Sequence, residues 1–187
     1  MNTPESMISD SDSNQLLQAV SRGDRDAFET LFRRYQAKLT GYATSMCGDR
    51  SLALDVLQDV FMKLWDTRRR LRSTGSAEAL LYTMVRNRTI SLIRRRRPSA
   101  ELTVVAESAA PVFDPAQGRE MQQFFQRWMD ELPPRRKEAF LLSRDHGLTH
   151  RQIARVLGVT EKTVDAHILR TLQFLRERLT NYRQEAT

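Results

Sequence analysis

The chain has 187 residues, of which 40% are hydrophobic and 28% charged, and its formal net charge is +7. This length suits one or two domains with modest cores, and no apolar run reaches the roughly 20 residues that a membrane-spanning helix needs. Cys47 is the single cysteine, which excludes an internal disulfide and a thiolate-bound metal cluster. The first residues are polar and acidic, unlike a signal peptide, so we expect a cytoplasmic protein that does not insert into membranes.

Positive charge is concentrated in two parts of the chain. Residues 67–98 carry a net charge of +9 and residues 135–187 carry +5, whereas residues 99–134 carry −4. Only 4 of the 30 basic residues are lysine, and the planar arginine guanidinium is better suited to bidentate contacts with phosphates and bases. Clustered positive charge indicates a polyanionic partner whose binding depends on salt concentration.

The elements predicted along the chain are all helices, because glycines stand at boundaries and runs of alternating β-branched residues are nearly absent. After a disordered tail over residues 1–13, capping residues and glycines divide the N-terminal half into four helices. These are a helix of about Asn14–Ser21, one from Asp24 to Gly48, one that begins at Asp49 or Ser51 and frays through Arg70, and one of about Ala77–Arg96.

Residues 99–118 are rich in Ala, Ser and Pro and show no sustained period, which predicts a flexible linker. Helices of about Arg119–Glu131 and Pro134–Asp145 follow it. The sequence therefore predicts an all-α fold with two small helical domains, residues 14–98 and 119–183, joined by this linker.

The second domain ends in a predicted helix-turn-helix, in which a second helix enters the major groove of DNA. Thr149 and Gln152 form a capping-box pattern, Gly158 marks the turn, and Thr160 is a second N-cap candidate. An apolar stripe is predicted to face inward from the second helix, formed by Val164, Ile168, Leu172 and Leu175. The outward residues are Glu161, Lys162, Thr163, Ala166, His167 and Arg170.

A second basic helix precedes the linker. Residues 67–98 contain ten basic residues against one acid, Glu78, a density that a merely solvated face explains poorly. The side chains predicted to point outward are Arg86, Asn87, Arg94, Arg95 and Arg97. This pattern favours a second nucleic-acid contact in the first domain.

The helix before it has a different surface. Its inner stripe is predicted to consist of Leu54, Leu57, Phe61 and Leu64. Another face, acidic with an apolar centre, consists of Asp55, Gln58, Asp59, Met62 and Asp66. DNA would repel this face, which is either the polar side of an amphipathic helix or a protein-docking surface.

No catalytic or metal-binding pattern is found in the sequence. His146 and His150 are four residues apart, but they straddle a glycine turn and no cysteine or acidic ligand set accompanies them. There is no phosphate-cradling glycine loop and no nucleophile motif. We therefore expect a protein that is not an enzyme and that holds no metal or cofactor.

Three segments together carry a family resemblance: LDVLQDVFMKLW, LLYTMVRNRTISLIRRRRP and LPPRRKEAFLLSRDHGLTHRQIARVLGVTEKTV. In this order, they make the chain resemble a bacterial RNA polymerase sigma factor of the extracytoplasmic-function (ECF) class over residues 14–183, apart from the linker. The resemblance implies a protein that binds core RNA polymerase and directs promoter recognition, DNA opening and transcription initiation. The implied partners are the β′ coiled coil and β flap of the polymerase, promoter DNA and an anti-sigma factor.

The resemblance also implies residue roles. The residues implied to dock on the polymerase are Asp55, Gln58, Asp59, Phe61, Met62 and Trp65, with Phe61 and Trp65 shaping the surface from below. The residues implied to contact the −10 element are Arg72 and Ser73, in a base-capturing loop, and Arg86, Asn87, Arg94, Arg95 and Arg97, on the basic helix. Contacts with the −35 element fall to Glu161, Lys162, Thr163, Ala166, His167 and Arg170.

One alternative is a stand-alone helix-turn-helix regulator of the quorum-sensing-regulator type, whose recognition helices resemble EKTVDAHI. Such a protein normally carries a ligand-binding or phospho-receiver domain with alternating strands and helices, whereas residues 1–97 read as helical and basic. A second alternative is a helical adaptor that binds through residues 52–66 and carries its basic charge incidentally. Dependence on core polymerase for specific DNA binding separates a sigma factor from both.

Overall fold

The computed structural model describes residues 5–71, 75–96 and 118–185, and every regular element in these ranges is a helix. The α-helices are α1 (Glu5–Ser21), α2 (Arg25–Cys47), α3 (Arg50–Asp66), α4 (Ala77–Arg96), α5 (Gly118–Asp130), α6 (Pro134–Arg144), α7 (His150–Leu157) and α8 (Glu161–Glu185), with a 3₁₀ turn at Arg68–Arg70. The chain divides into two compact units, Met1–Leu102 and Thr103–Thr187. The all-α prediction is confirmed.

The N-terminal unit is organised around α2, which packs against α1, α3 and α4. Its core contains side chains from all four helices that are no more than 2% exposed, including Val20, Leu31, Leu39, Tyr42, Val56, Leu64, Leu81 and Val85. Burying an aliphatic side chain of this size contributes about 1.5–3 kcal/mol. The core thereby holds α3 and α4, which carry the predicted docking and −10 contact residues, side by side.

Helix ends in this unit follow local chemistry. The carboxylate of Asp24 accepts a hydrogen bond from the backbone N–H of Ala27 (3.0 Å), and α2 ends at Gly48, whose φ of 68° is left-handed. The Asp49 carboxylate accepts from the N–H groups of Ser51 and Leu52 at 2.8 and 3.1 Å, so Asp49 caps α3. Such caps contribute about 1 kcal/mol each.

The first helix begins earlier than the sequence predicts. It starts at Glu5 rather than at the predicted Asn14, and residues 1–4 of the predicted tail lie outside the described part. Ser13 is fully buried, and its hydroxyl accepts a hydrogen bond from Tyr35 Oη (2.9 Å). Asn14 Oδ1 accepts from the backbone N–H of Ala77 (2.7 Å), at the start of α4. The partners of Ser13 and Asn14 lie far along the chain, so no local pattern in the sequence reveals them.

The C-terminal unit has its own core, in which α6 packs on α7 and α8. Met129, Leu132, Phe140 and Leu141 form a buried cluster against Phe125, Phe174 and Leu175. The capping box at Thr149 is present, and Gly158 ends α7 with a φ of 66°. The predicted helix-turn-helix is thus α7 and the N-terminal part of α8.

Two leucines predicted to face inward are exposed instead. Leu54 is 49% exposed because the buried face of α3 centres on Val56 and Val60, and Leu54 lies at its edge. Leu172 is 50% exposed, and Thr171 takes the buried position on α8. On α8, the predicted stripe advances by four residues from Val164 to Ile168 and again to Leu172. Each step exceeds the 3.6 residues of one helical turn, so after two steps Leu172 has moved off the buried face.

Within the described residues, no helix is long and apolar enough to cross a membrane. No group of three or more His, Cys, Asp or Glu side chains there is arranged to hold a metal ion. The predicted linker, residues 99–118, lies outside the described part except for Gly118, where α5 begins.

Candidate docking and nucleic-acid interfaces

The acidic face of α3 lies at the surface, and we call it the docking face. Asp55, Gln58 and Asp66 are exposed, and Met62 between them is 57% exposed. Phe61 lies beneath, only 3% exposed, with its ring in edge-to-face contact with Phe28 and Phe32 at centroid distances of 5.8 and 5.0 Å. This aromatic base makes the docking face a rigid surface with carboxylates around an apolar centre.

Trp65 is mainly a packing residue. Its ring lies 5.1 Å from that of Phe28, and the guanidinium of Arg68 stacks 4.2 Å from the Trp65 ring centroid. Arg68 also donates to the Trp65 carbonyl oxygen (2.7 Å). The stacking and the hydrogen bond together hold Arg68 against Trp65 where the chain leaves α3. Trp65 can therefore shape the docking face from below.

An apolar groove of about 1080 Å³ runs between α2 and α3, next to the docking face. Its floor is formed largely by Phe28, Phe32, Phe61 and Trp65, and charged side chains such as Arg25, Arg50 and Asp66 border it. The half-exposed Leu54 belongs to this lining. A groove of this size and polarity suits an apolar segment of a partner protein.

The basic face of α4 is only partly as predicted. Asn87, Arg94 and Arg95 are exposed, and Arg86 is partly buried. The predicted contacts Arg72, Ser73 and Arg97 lie outside the described residues. Where it is described, α4 presents cationic and amide donors along more than two turns, as a phosphate-binding surface requires.

Sequence reasoning missed Arg88, which projects from α4 to α3. Its Nε and Nη2 both donate to Asp59 Oδ2, at 2.8 and 2.5 Å. Asp59 was predicted as a docking residue available to a partner, but in this structure it is already ion-paired. The two residues are 29 positions apart on different helices, so no local pattern in the sequence reveals the pair.

Two adjoining grooves lie beside this ion pair. The first, of about 440 Å³, is lined by Asp59, Val60, Lys63, Met84, Asn87, Arg88 and Ser91. The second, of about 410 Å³, is lined by Asn87, Ile90, Ser91, Arg94 and Arg95. Asn87 and Ser91 line both grooves, so the grooves are neighbours, one beside the α3–α4 ion pair and the other beside Arg94 and Arg95.

The outer face of the helix-turn-helix lies on the first turns of α8. The backbone N–H of Thr163 donates to Thr160 Oγ1 (3.2 Å), and the fully buried Val164 anchors the helix on its inner side. Of the predicted contact residues, Glu161, Lys162 and Arg170 are exposed, while Thr163, Ala166 and His167 are partly exposed. Outside this set, His150 Nδ1 pairs with Asp165 Oδ1 and ties α7 to α8.

His167 has an unusual environment on this face. Its Nδ1 is buried and has no hydrogen-bond partner among the described residues. Burial, followed by the nearby cations Arg136, Arg170 and Arg135, lowers the pKa of His167 below its ordinary value of 6.5. The ring is therefore neutral at neutral pH in the free protein.

A pH-dependent loss of stability follows from this shift. The unfolded chain takes up a proton on His167 near pH 6.5, at which the folded chain still resists protonation, so stability present above 6.5 is lost as the pH falls through the folded pKa. Thermal unfolding of wild type and His167→Gln over a pH series should show a steeper loss for wild type below pH 6.5. Arg170→Gln removes one of the nearby cations and should reduce the difference; parallel curves for wild type and His167→Gln would contradict the assignment.

The docking face, the basic helix α4 and the helix-turn-helix are the surfaces expected of a transcription protein that joins DNA to a protein partner. A family model described as Sigma-70 region 2 matches residues 31–98, and one described as Sigma-70, region 4 matches residues 125–175. The ECF RNA polymerase sigma factor SigM of Mycobacterium tuberculosis is 31% identical over 156 residues, covering 83% of this chain and 79% of SigM. The chain belongs to the ECF RNA polymerase sigma factors, and it is a sigma factor that directs transcription initiation.

Further comparisons agree with this family. The RNA polymerase sigma-H factor of Pseudomonas aeruginosa is 26% identical over 193 residues, covering 96% of this chain and 100% of that protein. The solved structure of CnrH in complex with the cytosolic domain of CnrY has the same fold, with a TM-score of 0.67 and 22% identity over 91% of this chain and 98% of CnrH. The sigma factor RpoE of Bartonella quintana, solved with the anti-sigma factor NepR, gives a TM-score of 0.60 at 23% identity, covering 82% of this chain and 96% of RpoE.

The match to Sigma-70 region 2 decides against the stand-alone regulator. That alternative required an N-terminal domain of alternating strands and helices. The described part of residues 1–97 contains helices only.

Proposed function

We propose that the docking face of α3 binds core RNA polymerase, that α4 and the loop before it contact the −10 element, and that the first turns of α8 read the −35 element. The proposal rests on one observation above all. A chain with a net charge of +7 exposes Asp55, Gln58 and Met62 above an aromatic cluster, on a helix packed against one that exposes Arg94 and Arg95. These two surfaces suit a cationic protein partner and DNA, respectively.

The energetics explain why both surfaces are needed. Unstacking a base costs a few kcal/mol, whereas a good base contact contributes about 1–3 kcal/mol. A single small helical unit could not hold a promoter open through such contacts. Once docked on the polymerase, the unit binds DNA at a high effective concentration, so its contacts add to those of the enzyme. The sigma factor thus supplies specificity while the polymerase supplies catalysis.

We also propose that an anti-sigma factor regulates this chain by covering the docking and DNA-binding faces. Two structural neighbours were solved with partner proteins, CnrH with the cytosolic domain of CnrY and RpoE with the anti-sigma factor NepR. In this chain, the apolar groove between α2 and α3 adjoins the docking face. A partner segment seated there would compete with polymerase for the same side of α3.

A transcription assay tests the proposed function directly. Core polymerase free of sigma factor is incubated with sheared DNA from the source organism, with and without the chain, and the transcript starts are sequenced. Discrete starts that depend on the chain and share two upstream elements are expected. Specific duplex binding by the chain alone, without polymerase-dependent starts, would contradict the proposal.

A further inference from the structure

The ion pair between Asp59 and Arg88 joins the two functional helices of the N-terminal unit. Both hydrogen bonds from the guanidinium go to Asp59 Oδ2, at 2.8 and 2.5 Å, and Oδ1 accepts no hydrogen bond from the described residues. Asp59 therefore keeps one carboxylate oxygen without a partner among the described residues, while its other oxygen holds the Arg88 guanidinium.

Either partner of the Asp59–Arg88 ion pair can be replaced by an ion from outside. The Arg88 side chain is 33% exposed and that of Asp59 43% exposed, so solvent and ions reach both. Ion pairs at such exposure are weak, because water and salt screen the attraction and two long side chains lose freedom. A competing cation at Asp59, or a competing phosphate at Arg88, can therefore replace the internal partner.

Arg88 also lies where a phosphate would pass. It lines the groove of about 440 Å³, and two other lining residues of that groove, Asn87 and Ser91, also line the neighbouring groove beside Arg94 and Arg95. The charged lining of this groove consists of Lys63, Arg88 and Asp59. If Asp59 turned to another cation, the groove would present only positive charge at the α3–α4 end.

We propose that Arg88 is a gated contact with the DNA backbone: Asp59 holds its guanidinium in the free chain, and a polymerase cation that engages Asp59 releases Arg88 to a phosphate. This inference rests on the proposed function, since it needs Asp59 to face the polymerase. Binding of polymerase and of DNA then favour each other through one shared carboxylate, and thermodynamic linkage makes the coupling reciprocal.

Binding by the free chain tests the gate without polymerase. The probe is a fluorescein-labelled single-stranded oligonucleotide, and anisotropy is measured for wild type, Asp59→Asn, Arg88→Gln and the double variant. Asp59→Asn should raise the affinity by no more than about fivefold, the range expected for releasing an exposed pair. The salt dependence of log K should steepen by about 0.7, equivalent to one added phosphate contact. Both gains should disappear in the Arg88→Gln background.

A matched control separates release of Arg88 from simple loss of a negative charge. Glu29 and Arg33 form an exposed ion pair on α2 (2.5 Å), so Glu29→Gln removes one acid and releases one arginine elsewhere. The gating proposal is wrong if Glu29→Gln raises the affinity as much as Asp59→Asn does. It is also wrong if the gain from Asp59→Asn survives in the double variant.

Polymerase supplies the reciprocal test. Arg88→Gln frees Asp59, so it should bind core polymerase as tightly as wild type or up to about fivefold more tightly. On a promoter fork, the same holoenzyme should lose about 0.7–0.9 from its salt slope. Weaker docking of Arg88→Gln, or an unchanged slope, would show that the pair only braces α3 against α4.

A wild-type chain that forms no specific promoter complex with polymerase would instead refute the proposed function. The free-chain measurements would still decide whether Asp59 gates Arg88.

Discussion

Replacing Asp55 with arginine should weaken binding to core RNA polymerase at least about 30-fold without unfolding the chain. Asp55 is exposed on the docking face, and it makes no hydrogen bond or ion pair with the described residues. Its replacement therefore costs the fold little but puts a like charge against a cationic partner surface. Losses at charge pairs in interfaces are about 2–5 kcal/mol, or some 30-fold to several thousand-fold in affinity.

The measurement is a titration of labelled chain with core polymerase, supported by thermal unfolding of the variant. Glu177→Arg is a matched control, since it makes the same charge change at an exposed site on α8. Asp59→Arg is a poorer test, although the sequence favours both carboxylates equally, because it also breaks the pair with Arg88 and adds a third cation beside Lys63. Binding of Asp55→Arg at wild-type affinity would remove α3 from the proposed interface.

Substitutions on α8 and on α4 should each weaken use of a different DNA template. Lys162→Ala and Arg170→Ala remove exposed contacts on the helix-turn-helix, so they should weaken use of a fully duplex promoter by about 1–3 kcal/mol for a base contact. On a fork template already open at −10, they should have little effect. Asn87→Ala, on the exposed face of α4, should mainly weaken the fork.

Holoenzyme binding and transcript yield on the two templates measure this pattern. Arg176→Ala serves as a control, because Arg176 is exposed on α8 but lies beyond the first turns, which are the ones proposed to contact the −35 element. The two-surface assignment would fail if the α4 and α8 variants lost affinity equally on both templates. It would also fail if Arg176→Ala matched Arg170→Ala on the duplex.

Most helix boundaries could be predicted because their signals are local. The caps at Asp24 and Thr149 and the left-handed glycines Gly48 and Gly158 act within a few residues of the helix end. The fourth helix was likewise predicted at its observed bounds, Ala77–Arg96. Prediction failed at α1, where Ser13 and Asn14 find partners on α2 and at the start of α4. Polar side chains with distant partners cannot be told from solvated ones by their neighbours in sequence.

The sequence by itself therefore determined the all-helical architecture, the helix-turn-helix and the family, because capping, periodicity and ordered motifs are written in contiguous residues. Only the tertiary structure decided which acidic side chains of α3 are available to a partner. Asp55 is free of internal partners among the described residues, whereas Asp59 is held by Arg88 from the neighbouring helix. Such a pair depends on how two packed helices align across 29 residues of chain, and that alignment is set by the buried core rather than by either segment alone.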